Sequence, residues 1–253
     1  MHKFTPEVEE LANEILAYSL ERLKSDPPLD GPRTAEDLFA EVGNTITERG
    51  LGGRAALGVF TEVLAKACIS TDHPRNLAFI PSAPSEYANL FDLVVGASAL
   101  YGGSWQEGAG AVFAENQALR WIADLADFPA SAGGVFVSGG TAGNMSALLA
   151  GRHWWRSRNE GRHDHTRGLI MASKGAHSSV AQAARSMDAD VLLVPADERG
   201  RLVGSALRAT VDSMSQADRD RLFAIVATCG TTNLGVIDEL SVVADVAQEL
   251  NVW

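Results

Sequence analysis

A chain of 253 residues with 46% hydrophobic content is long enough for one large α/β domain, or for one domain with an appended helical segment. Its 21 Lys plus Arg against 32 Asp plus Glu give a formal net charge of -11, which argues against the basic face that nucleic-acid binding needs and leaves room for a small local anion site. Cys68 and Cys229 are too few for a disulfide framework or a Cys-rich zinc site, and no run approaches the roughly 18 apolar residues of a membrane span, so a cytoplasmic protein without a metal centre is expected.

The N-terminal "MHKFTPEVEELANEIL" is acidic and amphipathic where a secretory leader would be basic and then apolar. Thr5 and Pro6 form an N-cap and first-turn pair, and Val8, Leu11, Ile15 and Leu16 fall on one helical face. After the breaker "SDPPLDGPR", Thr34, Ala35, Glu36 and Asp37 resemble a capping box that opens a short helix stopping near Gly43. A third helix is predicted over Arg54 to Ile69, so residues 1–70 read as a helical arm and residues 71–253 as a larger domain.

That domain begins with the proline-punctuated loop "STDHPRNLAFIPSAPSEY", then helices over Tyr87 to Leu100 and Ala111 to Ala126 with the glycine-rich "YGGSWQEGAGA" between them. Next, "GVFV", "GLIMAS", "DVLLVP" and "LFAIVATC" read as strands. They alternate with helices near Gly143 to Arg156, Ser178 to Met187, Ser205 to Ser215 and Leu240 to Leu250. Strands that are apolar almost throughout, separated by helices, indicate a mostly parallel sheet covered on both faces.

Ligands of such sheets gather at the carboxyl ends of strands, where the following helices present their N-termini. In "GGVFVSGGTAGNM" the residues Ser138 to Thr141 stand at such a junction. The stretch reads either as a glycine-rich turn with Thr141 as its N-cap or as an anion site built from free N–H groups. It lacks the lysine of a Walker loop and the G-x-G-x-x-G spacing of a dinucleotide site, so a phosphate on something other than a nucleotide fits better. Two further strand ends are polar: Lys174, His177, Ser178 and Ser179 after one, Thr228, Gly230, Thr231 and Thr232 after another. By itself a histidine such as His177 is more often structural, capping a helix or satisfied in the core. His163, Asp164 and His165 in "GRHDHTRG" read as a solvated loop, and "RHWWRSR" as apolar packing at a helix end.

In this order, "SGGTAGNMSALLAGR", "AHSSVAQAARSM" and "ATCGTTNLGVIDEL" resemble the group II pyridoxal-5'-phosphate-dependent amino-acid decarboxylases, the family of aromatic-L-amino-acid decarboxylase and glutamate decarboxylase. "DHPRNLAFIPSAPSEYANLFDLVVGASAL" resembles that family's substrate-side loop and helix. The resemblance implies a fold type I α/β architecture, pyridoxal 5'-phosphate as cofactor, an L-amino acid as substrate, and a homodimer with its active site at the interface, embraced by the helical arm. It places Gly140 and Thr141 on the cofactor phosphate, His177 against the pyridine ring as a catalytic residue, and Thr232 beside the cofactor. Phe79, Ile80, Pro81 and Ser82 take the place of the substrate-pocket loop.

The same resemblance implies an Asp at the pyridine nitrogen a few residues beyond the position of Trp253, and a Schiff-base Lys in a later "HK" motif. Lys3, Lys24, Lys66 and Lys174 do not stand in that context, and Asp238 matches a different Asp that the family carries after its "GTT". These residues are therefore expected to be the N-terminal portion of the enzyme, cut within its large domain and inactive alone. A related carbon–carbon lyase, an aldehyde-forming variant and a non-catalytic cofactor-binding protein are the alternatives.

Overall fold

Thr5 opens the first helix by accepting a hydrogen bond from the Val8 N–H at 3.4 Å, and Pro6 supplies a first-turn φ without needing a partner for an N–H. The resulting α1 spans Pro6–Lys24. The computed structural model describes residues 3–80, 82–158 and 166–253. They fall into two compact units, Met1–Gly102 and Gly103–Trp253.

In the first unit Thr34 caps α2 (Ala35–Val42) by accepting from the Asp37 N–H at 3.1 Å, and Gly43 ends it at φ 61°. Helix α3 (Gly53–Val59) runs on through a π turn, Phe60–Leu64, and a 3-10 turn, Ala65–Ala67, in place of the uniform helix expected over Arg54 to Ile69. Arg54 joins α3 to α1 through Glu10 at 2.8 Å and Glu14 at 2.9 Å, while Tyr18 meets Phe60 edge-on at 6.2 Å. Helix α4 covers Glu86–Ala97. None of these four helices buries a side chain.

The second unit starts with α5 (Trp105–Leu125), which opens before the expected Ala111 and is kinked at Gly108, whose φ of -138° and ψ of 44° are not helical. Ser104 accepts from the Glu107 N–H at 3.3 Å and donates to the Glu107 carboxylate at 2.8 Å, a side-chain N-cap obscured by the glycines around it. After α6 (Gly140–Ser157) come β1 (Gly168–Ser173), α7 (Ser178–Ser186), β2 (Ala189–Val194), α8 (Gly204–Ser213), α9 (Gln216–Arg221), β3 (Leu222–Val226) and α10 (Leu240–Leu250). The strands are parallel in the order β2-β1-β3. The short α9 was not anticipated.

"GVFV" is not a strand. Val135, Phe136 and Val137 are exposed, and no strand among the described residues pairs with them. β-Branched composition favours a strand only where a neighbour completes the ladder and covers the side chains.

Central β1 is buried along its whole length. Ile170 and Ala172 pack with Leu148 and Trp155 of α6 and Val180 and Ala183 of α7. Leu169 and Met171 pack with Leu207 and Val211 of α8 and Val243 and Val246 of α10. The period-two alternation of a strand thus feeds two cores, the layered arrangement of an α/β domain. The amino ends of the strands are tied by Arg221, which reaches Asp190 at 2.5 Å and Asp218 at 3.0 Å, and by Arg167 on Asp190 at 3.0 Å. At the sheet edge the Trp253 N–H donates to Phe223 O at 2.8 Å and Trp253 O accepts from the Ile225 N–H at 2.9 Å.

Candidate functional site

The chain leaves β1 through a tight turn in which the Ala176 N–H donates to Ser173 O at 3.1 Å, and this turn delivers His177 to the N-cap of α7. His177 Nδ1 accepts from the Ser179 N–H at 3.1 Å and lies 2.9 Å from Ser179 Oγ. A backbone N–H can be accepted only by an unprotonated Nδ1, so the neutral ring carries its proton on Nε2. The buried Ser179 hydroxyl also accepts from Asn144 Nδ2 at 2.8 Å, which ties the first turn of α7 to α6.

Beyond β3 the chain forms a loop from Thr228 to Asp238. Gly230 sits at φ 95°, and the Gly230 and Thr231 N–H groups both donate to Val236 O. Thr231 spends its hydroxyl inside the loop, accepting from the Val236 N–H at 3.1 Å. Asp238 is 3% exposed, and its carboxylate accepts from the N–H groups of Leu202 and Thr228, both at 2.7 Å. One buried carboxylate thereby clamps the root of this loop to the neighbouring one.

The turn after β1 and the loop after β3 enclose a cleft of about 370 Å3 whose lining includes Lys174, His177, Ser178, Thr231, Thr232 and Asn233. Gly175 also lines it; a Cβ there would come within 3.2 Å of the Thr231 methyl, so glycine permits the two walls to approach. Under the turn, the hydroxyl of Ser173, 1% exposed, has no hydrogen-bond partner among the described residues.

Gly140 and Thr141 stand in the first turn of α6 and are not part of this lining. The N-cap is Gly139, at φ 147°, and no side chain caps the helix. The reading of Thr141 as an N-cap is therefore corrected: it is the second helical residue, because Gly139 reaches a cap conformation that a β-branched residue resists. A Cβ on Gly139 or Gly140 would meet nothing within 4 Å, so the uncapped N–H groups open onto free space. The Asn144–Ser179 bond links this helix start to the His177 turn.

Phe79, Ile80 and Ser82 lie exposed in the loop before α4 in the first unit, with Phe79 at φ 63°, an unusual conformation for an aromatic residue. Pro81 lies outside the described residues, as do His163, Asp164 and His165. Among the described residues no cluster of metal-ligating side chains occurs. Trp155 packs on Phe223 at 5.8 Å and Arg158 sits 4.5 Å over Trp154, so "RHWWRSR" is packing, as expected.

The residues match pyridoxal-5'-phosphate-dependent decarboxylases beyond their motifs: residues 53–253 fit the pyridoxal-dependent decarboxylase conserved domain. The chain belongs to this family. It is 27% identical over 246 residues to aromatic-L-amino-acid decarboxylase of Bacillus atrophaeus, covering 96% of this chain and 50% of that protein. With L-2,4-diaminobutyrate decarboxylase of Rhizobium meliloti it shares 31% identity over 211 residues, covering 82% of this chain and 41% of that one. The glutamate decarboxylase domain of diaminobutyrate-pyruvate transaminase and L-2,4-diaminobutyrate decarboxylase from Vibrio parahaemolyticus superposes with a TM-score of 0.83 at 25% identity, over 98% of this chain and 56% of that one. The chain thus spans about half the length of the relatives it matches.

Pyridoxal 5'-phosphate is the cofactor of this family. The residues present fit it. An uncapped, open helix N-terminus suits a phosphate, a neutral imidazole with a fixed tautomer suits a flat ring, and the buried Ser173 hydroxyl is a donor still unspent. Sequence reasoning missed Ser173, Asn144 and the clamp made by Asp238. Their roles depend on contacts between strand ends far apart in the chain, and no local pattern marks them.

Proposed function

We propose that this chain is part of a cytoplasmic L-amino-acid carboxy-lyase that works as a homodimer. The observation that carries the reading is the meeting of His177 and Thr232 in one cleft, next to the uncapped start of α6. Pyridoxal 5'-phosphate, when bound, supplies the electron sink that lets a substrate carboxylate leave as CO2. The N–H groups and hydroxyl of Gly140 and Thr141 would hold its phosphate, with the α6 dipole adding to the attraction. His177 would lie on its ring, and the bond from the Ser179 N–H keeps the imidazole from rotating and fixes Nε2 as the donor. The Thr232 hydroxyl, free of the loop bond that engages Thr231, would sit beside it.

Residues 1–70 form, on this reading, the arm that embraces the partner subunit, and residues 71–253 belong to the cofactor-binding domain. Phe79, Ile80, Pro81 and Ser82 form a substrate-pocket loop. The 253 residues expressed alone should release no CO2.

The test is cofactor titration of the complete gene product, followed by the visible absorbance of bound cofactor. His177→Ala and Thr141→Ala should each weaken retention by about tenfold, the scale of one lost charge-assisted contact. Unchanged affinity in both variants would overturn the assignment. Phe79→Ala should reorder a panel of amino-acid substrates with little change in cofactor affinity.

A further inference from the structure

Among the described residues, Lys174 is the only formally charged side chain lining the cleft, beside His177 and Thr232. It is one of four lysines in a chain of net charge -11. Arg201, adjacent to the clamped Leu202, is by contrast engaged, holding Asp197 at 2.8 Å. Lys174 has no ion pair or hydrogen bond among the described residues. An ammonium left unpaired in a concave, otherwise neutral wall attracts an anion and repels a cation. The first turn of α6, proposed above for the cofactor phosphate, lies outside this wall, which leaves the lysine for a different anionic group.

We propose that Lys174 is a specificity-determining residue that selects amino acids with a negatively charged side chain and disfavours those with a cationic one. A neutral donor of the same wall, the Asn233 amide, would orient the carboxylate or related oxyanion that the ammonium attracts. The inference rests on the decarboxylase reading for its substrate and on the cleft lining for its sign.

The test compares the complete gene product with Lys174→Met and Lys174→Arg. Decarboxylation is measured on aspartate and glutamate, on tyrosine and tryptophan, and on 2,4-diaminobutyrate. The wild type should prefer the acidic pair. Lys174→Met should lower the acidic-to-aromatic ratio of kcat/KM by about tenfold or more, chiefly through KM, and Lys174→Arg should restore most of it. An equal loss on every amino acid, or a loss of cofactor affinity matching the loss of activity, would overturn the proposal, the second by placing the ammonium on the phosphate. Calorimetric binding of the unreactive dianion glutarate, against 3-phenylpropionate, gives a readout independent of turnover. If the wild type decarboxylates nothing, the proposed activity fails while glutarate binding still decides on Lys174: about tenfold weaker binding to Lys174→Met supports it, and equal binding overturns it.

Discussion

The two units of this chain put the same kind of amphipathic helix to different uses. In Gly103–Trp253, helices α6, α7, α8 and α10 press Leu148, Val180, Leu207 and Val243 onto the two faces of a sheet and bury them. In Met1–Gly102, helices α1 and α4 carry Val8, Ile15, Leu16, Leu90 and Val94 on exposed faces. The apolar stripe is written in both, but only the second unit contains a surface to receive it. A helical period specifies that a face is to be covered and leaves open by what. The homodimer proposed above would supply that cover for the first unit.

The sharpest break of this contrast is a pair of truncations in the complete gene product. Phe223, 0% exposed and stacked on Trp155, fills the space over Gly168, where a Cβ would come within 2.7 Å of its ring. Phe223→Ala should cost about 3–5 kcal/mol in urea unfolding, at every protein concentration. Leu90→Ala should change the intrinsic stability of a subunit by less than about 0.5 kcal/mol and act instead on dissociation, seen as a midpoint that falls on dilution. A concentration-independent loss as large as that of Phe223→Ala would place Leu90 in a core of its own.

Next in size is the clamp under the cleft. Asp238→Ala strands the N–H groups of Leu202 and Thr228 and should cost on the order of 3 kcal/mol, with those two amides losing hydrogen-exchange protection. Retained protection at both would show that another group or water takes over. The first unit has no counterpart among its described residues, because the side-chain bonds to its backbone that carry most order there are exposed helix caps such as Thr34.

The smallest effect is electrostatic. The Arg221 guanidinium, and after it Arg167, hold the Asp190 carboxyl below its ordinary value. The folded state therefore releases this proton more readily than the unfolded chain. The resulting stability is complete above the ordinary carboxylate value of about 4 and is lost as pH falls from there through the depressed one. Asp190 is partly exposed, so solvent screening limits the contribution to at most about 1 kcal/mol. Asp190→Asn should flatten the acid limb of stability between about pH 4 and pH 2 and leave neutral pH nearly unaltered apart from that contribution. An unchanged acid limb would assign the acid sensitivity elsewhere, with Asp72, depressed by Arg22 in the first unit, as the group to examine next.

What the sequence determined by itself was local or periodic. Thr5 and Thr34 mark helix starts because a capping hydroxyl needs only the three residues that follow it. The apolar runs at Gly168, Ala189 and Leu222 announce parallel strands, and the central one at Gly168 is buried throughout because both of its faces are covered. Ser104 showed the limit of local reading, its N-cap lost among glycines, and "GVFV" showed the limit of composition, since a strand exists only where another strand pairs with it. The site divides in the same way. Gly140, Thr141, His177 and Thr232 stand at junctions recognisable from strand–turn–helix patterns. That His177 and Thr232 share a cleft while Thr231 turns its hydroxyl inward, that Asp238 holds the loop root, and that Lys174 faces the cleft without a partner were decided only in three dimensions. Each depends on hydrogen bonds or charges brought together from residues distant in the chain, and such pairings leave no period in the sequence to be read.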